Sequence, residues 1–155
     1  MYYNVIFISY LPLSKEFEVA ENVKDVAMDG IADYFTDSQP IPSSFVGTEV
    51  LEDGYFRLTE EDIENHFKDR YELCKKLFEQ ASLSDFCEGI KDGIMPIERL
   101  IDETYGTYVV CDYNADDLSE CWPMTLDSFL RKTYQEIRNN EEKIHYIVGC
   151  CGYHC

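Results

Sequence analysis

Four consecutive apolar residues, Val5-Ile6-Phe7-Ile8, lie inside a stretch from Tyr3 to Tyr10 that carries no charge. A strand with one face in water alternates apolar and polar side chains. An unbroken apolar run belongs to a strand covered on both faces. The rest of the chain must therefore supply a layer for each side of a sheet.

The segments that follow alternate between the two periods. Phe17 to Ala20 is a candidate short strand. Asp53-Gly54 between apolar pairs, within Thr48–Leu58, signals a hairpin. Thr59-Glu-Glu-Asp62 has the form of a capping box with Asp in place of Glu. It opens a long helix, Glu60 to about Ala81, along which Ile63, Phe67, Tyr71, Cys74, Leu77, Phe78 and Ala81 keep the helical period. A second helix is expected from about Ser84 to Lys91, stopped by Gly93. A third runs from about Pro96 to Thr104, with Pro96 in its first turn. Gly106 to Tyr113 is a strand and Asn114 to Pro123 an acidic loop. Thr125 caps a helix from Leu126 to about Arg138, with Leu126, Phe129, Leu130, Tyr134 and Ile137 inward, and Asn139-Asn140 ends it. Ile144 to Val148 is the last strand, followed by a cysteine-rich tail. The expected class is α/β or α+β, a single domain over residues 1–155. It would hold one mixed sheet of about four to five strands covered by about four to five helices.

Charge is the second constraint. The 155 residues hold 31 acids and 13 bases, a net charge of -18, with 45% hydrophobic residues. That apolar share supports a core and excludes a disordered acidic tail. The charge repels nucleic acid and anionic membranes and favours basic partners. It is unevenly spread. Residues 1–58 hold 10 acids and 3 bases, residues 59–93 hold 10 and 5, residues 94–125 hold 7 and 1, and residues 126–155 hold 4 and 4. The neutral last segment is expected in the core or at a contact with a second chain. Tyr134, Tyr146, Ile147 and Val148 offer a homodimer seam there.

The densest acidic patterning lies at Glu21, Asp25, Asp29, Asp33 and Asp37, one acid at every fourth position. Val23, Val26, Ala27, Met28, Ile31, Tyr34 and Phe35 fill the spaces between. On a helical projection the acids take about 160° of arc. This predicts an amphipathic helix, capped by Asn22 and running from about Val23 to Phe35, with an acidic outer face. Gly30 inside it costs about 1 kcal/mol relative to Ala. Glu49, Glu52, Asp53, Glu60, Glu61, Asp62 and Glu64 form a second acidic patch. Asp112, Asp116, Asp117 and Glu120 form a third.

Other chemistry is poorly supported. Asp112, Asn114 and Asp116 imitate the start of a calcium loop. The pattern then fails, with Asp117 where Gly is needed and Pro123 where a bidentate Glu is needed. Cys151, His154 and Cys155 are donors of the zinc type, but no second ligand pair with suitable spacing exists. The three histidines, His66, His145 and His154, fall in no catalytic motif, and no glycine-rich phosphate loop is present. No catalytic residue, cofactor or metal is therefore expected. No basic leader or long apolar segment is visible, so a cytoplasmic protein with its seven cysteines reduced is expected.

Carboxylates on successive helix turns lie roughly 5–6 Å apart at Cβ. Such rows offer a basic groove a series of negative charges, much as a phosphate backbone does. Twelve tyrosines add contact surface at low entropic cost. The expected function is a non-enzymatic acidic inhibitor on the nucleic-acid-binding surface of a nuclease or defence complex. In charge and size it is like the nucleic-acid mimics that block restriction or CRISPR enzymes. The alternatives are an immunity protein for a basic toxin, and a small thiol or metal-binding protein using the C-terminal cluster. The expected partner is a basic protein, with no direct contact to nucleic acid or membrane.

Overall fold

The architecture follows from the pairing of two strands. In the computed structural model, which describes residues 2–9, 24, 28–38, 49–50, 55–88, 106–111, 123–141 and 144–154, β1 (Tyr2–Ser9) lies antiparallel to β7 (His145–His154). Their register runs from Tyr2 opposite His154 to Ser9 opposite Tyr146. It steps over Val148, passing from Phe7–Gly149 to Ile8–Ile147, which marks a β-bulge. On the other side of β1, β5 (Tyr108–Val110) runs parallel to it, and β6 (Pro123–Thr125) pairs with β5. On the other side of β7, two short strands share one edge. β4 (Tyr55–Arg57) takes the His145 end and β2 (Tyr34–Ser38) takes the His154 end. β3 (Glu49–Val50) joins β4 as the expected hairpin.

The class is α+β. The seven-stranded sheet is mostly antiparallel with one parallel pair, and it has more strands than expected. Among the described residues there are three helices: α1 (Glu60–Gln80), α2 (Leu83–Glu88) and α3 (Leu126–Arg138). The Phe17–Ala20 strand and the Pro96–Thr104 helix expected from the sequence lie outside the described residues.

Each face of the sheet has its own core. Ile6, Ile8, Val109, Cys111 and Cys150 point to the first face. There α1 contributes Ile63, with Phe67 packed alongside, and α3 contributes Leu126, Phe129 and Leu130. Val5, Phe7, Val110, Cys151 and Tyr153 point to the second face, against Met28, Ile31, Ala32 and Phe35. Val5 to Ile8 are all 0% exposed, as the unbroken apolar run requires. Each such side chain contributes about 1.5–3 kcal/mol by leaving water.

The helix starts are set locally. Thr59 Oγ1 accepts the Asp62 amide at 3.1 Å, and the Asp62 carboxylate accepts the Thr59 amide at 2.9 Å, which completes the capping box. Thr125 Oγ1 accepts the Ser128 amide at 3.2 Å and starts α3. Asn139 is the C-cap of α3, and Asn140 takes φ 60° as the chain leaves.

Three expectations are corrected. The acidic helix does not reach Phe35. The Met28 amide still bonds the Lys24 carbonyl at 3.0 Å, but Met28 to Ile31 form a turn. Gly30 adopts φ +73°, the left-handed conformation that ends helices and that side chains disfavour. The Asp33 amide then bonds the His154 carbonyl at 2.6 Å, and Tyr34 to Ser38 become β2. A tertiary edge on β7 thus outcompetes continuation of the helix. The cysteine-rich tail is no tail, because β7 continues to His154, with Cys150, Cys151 and Tyr153 buried. Pro123 to Thr125, expected within a loop and cap, form an edge strand; Pro is tolerated at the start of such a strand.

Gly152 is where β2 meets β7. Its amide donates to Thr36 Oγ1 at 3.1 Å, and a Cβ placed on Gly152 would lie 2.6 Å from that oxygen. Gly152→Ala is expected to cost about 1 kcal/mol, the value of the lost hydrogen bond. Urea denaturation should show a smaller loss for the same change in a Thr36→Ala background. Equal losses would mean that Thr36 is not the contact that matters.

Candidate interaction surface

Of the acids singled out in the sequence, those described as exposed come from two places. Asp29 and Asp33 are exposed at the turn into β2, and Asp33 Oδ2 lies 3.5 Å from His154 Nδ1. Glu60, Glu61 and Glu64 are exposed on the first turns of α1, where negative charge suits the helix dipole. Asp62 is committed to the capping box, and Glu64 accepts from the Tyr134 hydroxyl at 2.7 Å. Asp37 and Glu49 lie on β2 and β3. Glu21, Asp25, Glu52, Asp53, Asp112, Asp116, Asp117 and Glu120 lie outside the described residues. The row from Glu21 to Asp37 is therefore not one helical face, since Asp33 and Asp37 fall after the Gly30 turn.

One acid behaves differently. Asp127, the second residue of α3, is 1% exposed. Arg70 of α1 grips it with two nitrogens, Nη1 to Oδ2 at 2.5 Å and Nη2 to Oδ1 at 2.6 Å. His66, one turn earlier on α1, places Nε2 3.0 Å from Oδ1. Burial alone would raise the Asp127 pKa, but the hydrogen bonds and charges of His66 and Arg70 outweigh it. They hold the carboxyl well below the usual carboxylate range. The cluster ties the two helices together. Both carboxylate oxygens of Asp127 are held by Arg70 and His66, and the geometry supports a brace between the helices.

Beside this brace, α1 and α3 leave an open groove of about 750 Å³. Ile63, Phe67, Tyr71 and Tyr134 make it largely apolar, and Lys68 and Arg131 bring positive charge to it. The Arg70 and Arg131 guanidinium carbons lie 5.0 and 5.3 Å from the centre of the Phe67 ring. Arg138 donates to the Tyr134 hydroxyl at 3.2 Å and fixes that side of the opening. Such a surface accepts an aromatic or aliphatic side chain.

The described C-terminal thiols, Cys150 and Cys151, are buried. Cys151 and His154 lie an odd number of residues apart on one strand and point to opposite faces of the sheet, so they cannot ligate one ion. Cys155 lies outside the described residues. Among the described residues, no three His, Cys, Asp or Glu side chains are placed to hold a metal. Burial, with a smaller contribution from Cys151, pushes the Cys150 thiol up to about 11, which keeps it protonated and inert near neutrality. From the neutral C-terminal segment, β7 contributes Cys150, Cys151 and Tyr153 to the two cores. β7 pairs with β1 along one edge, and β4 and β2 take the two ends of the other.

Sequence reasoning missed the Asp127 brace. The available signal was His66 and Arg70 at i and i+4, two basic groups on one side of α1 next to its apolar stripe. Comparison with protein-family models, with curated proteins and with solved structures returns no match.

Because the pKa of Asp127 is lowered on folding, its contribution is present above its ordinary value of 3.8 and is lost as pH falls through the folded value. Wild-type stability should therefore decline below about pH 4. Asp127→Asn should lose stability at neutral pH and flatten that part of the decline. Arg70→Leu, which leaves a buried carboxylate without its main partner, should cost about 3–5 kcal/mol. Denaturant titrations from pH 7 to pH 2 measure all three.

Proposed function

We propose that this protein is a non-enzymatic acidic inhibitor that binds the basic nucleic-acid-binding surface of a nuclease or defence complex. One observation carries the reading. Among the described side chains, Asp127 is the one buried carboxylate, and it is neutralised internally. The other described carboxylate side chains are exposed or half-buried, on a chain of net charge -18. Uncompensated surface charge of this size opposes compaction and adds nothing to the core. Its use is in long-range attraction to a basic surface, with fast association that weakens as salt rises. Asp29 and Asp33 at one turn, and Glu60 and Glu61 at the start of α1, are the described acids that meet the partner.

The site of action is the cytoplasm, where such complexes work. No described helix is long and apolar enough to cross a membrane.

Capture from the host lysate at low and then high salt tests the proposal. At low salt the wild-type protein should retain a basic nucleic-acid-binding protein, and high salt should release it. Asp29→Lys/Asp33→Lys and Glu60→Gln/Glu61→Gln should each weaken capture about tenfold, near 1.4 kcal/mol. Their urea midpoints should stay close to wild type, because these side chains are exposed. Capture unchanged in both variants would leave the charge as a solvated face and overturn the proposal.

A further inference from the structure

α1 outruns the helix it packs against. Arg70 meets Asp127 near the start of α3, whereas Glu64 meets Tyr134 further along it, so the two helices are antiparallel. Residues of α1 beyond Arg70 pass the N-terminal end of α3. Yet the apolar period continues, through Phe67, Tyr71, Cys74, Phe78 and Ala81. These positions are spaced alternately four and three apart, the spacing of a helix–helix seam. Tyr71 is 63% exposed and Phe78 58%, and Leu83, just past the helix, is 80% exposed. A stripe with this period would normally be buried.

The charges beside the stripe identify what covers it. At about 100° per residue, Lys68, Glu72, Lys75 and Glu79 fall along one edge of it. Their signs alternate, and this edge is neutral on a chain of net charge -18. In an antiparallel helix pair related by a two-fold axis, the same edge of each helix faces its counterpart. Centred beside Cys74, such a pair sets Lys68 against Glu79 of the second helix and Glu72 against Lys75. Phe67 meets the small Ala81, and Tyr71 meets Phe78. Every facing charge is opposite in sign, and large side chains meet small ones at the ends. A basic partner would meet two lysines on this edge, and an acidic partner two glutamates. A second copy matches it at every position.

We propose that two copies of the chain associate through the C-terminal halves of α1, antiparallel about a two-fold axis beside Cys74. Phe78 of each copy seats against Tyr71 of the other, at the mouth of the α1–α3 groove. This surface is separate from the exposed acids at Asp29, Asp33, Glu60 and Glu61, and it does not depend on how those acids are used.

Light scattering over a concentration series, with two charge-recoded variants, tests the inference. Wild-type protein should double its 18.1 kDa mass as concentration rises. Phe78→Glu should remain at the single-chain mass while keeping the wild-type circular dichroism spectrum. Glu72→Lys/Glu79→Lys makes the edge wholly basic, and Lys68→Glu/Lys75→Glu makes it wholly acidic. Each variant alone should stay single-chain, and the two mixed should form a heterodimer. Helix axes pack about 8–10 Å apart, which puts facing Cα atoms within reach of a disulfide. Diamide, which takes up the two electrons and two protons released, should therefore link Cys74 to Cys74 in a Cys87→Ser background. Mass spectrometry of the linked peptide reads that bond. A wild-type protein that stays single-chain throughout, or recoded variants that fail to pair when mixed, would overturn the proposal.

Discussion

The pairing of β1 with β7 is the contact through which the other parts are connected. Both strands are buried on two faces, so their side chains belong to two cores at once: Ile6 and Cys150 to one, Val5 and Cys151 to the other. Every other strand except β3 and β6 bonds directly to one of these two. β7 has the heavier duty, since β4 and β2 divide its far edge between them. Its backbone groups thereby find partners along the β1 edge and at both ends of the far edge, as burial requires. Residues 126–155 are neutral because four bases balance four acids, with Arg131, Lys132, Arg138 and Glu141 exposed on or just past α3.

The layers on the two faces are held differently. On the second face, Met28, Ile31, Ala32 and Phe35 come from the segment that turns into β2. On the first face, two helices pack on the sheet, and apolar packing between helices admits several seatings about one turn apart. A buried carboxylate admits far fewer. Moving Asp127 out of water costs several kcal/mol, and the bidentate Arg70 contact with His66 offsets this in one register only. The brace accordingly fixes where α1 sits on α3, and so fixes the shape of the groove between them. It also fixes how much of α1 is left to project.

Local signals were legible in the sequence wherever local chemistry decides the outcome. The Thr59–Asp62 box and Thr125 act through neighbours three residues away, and the Val5–Ile8 run declares its own burial on two faces. Each is found as read. The misreadings share one cause, a distant partner. The acids from Glu21 to Asp37 keep a helical spacing, but β7 offers Tyr34 to Ser38 a free edge and Gly30 permits the turn that reaches it. Asp127 looks like any acid favoured in a first helical turn. Only the arrival of Arg70 from a helix some sixty residues earlier makes it a buried ion. Of the acids singled out for binding, the structure places Asp29, Asp33, Glu60, Glu61 and Glu64 at the surface, and gives Asp62 a structural duty.

The β-bulge between Phe7 and Ile8 has an effect beyond the local twist. Strand side chains alternate between faces, so without an extra residue His145 would share a face with Cys151 and Tyr153. It lies instead on the first face, with its ring 5.3 Å from Phe56 and 5.4 Å from Phe129. The skipped Val148 acts as a parity shift. Odd positions face one way after it and the other way before it. No single period-2 pattern runs the length of β7, which hides the strand from any alternation test. Deleting one residue there would not shorten the strand so much as turn His145 and Tyr146 inside out.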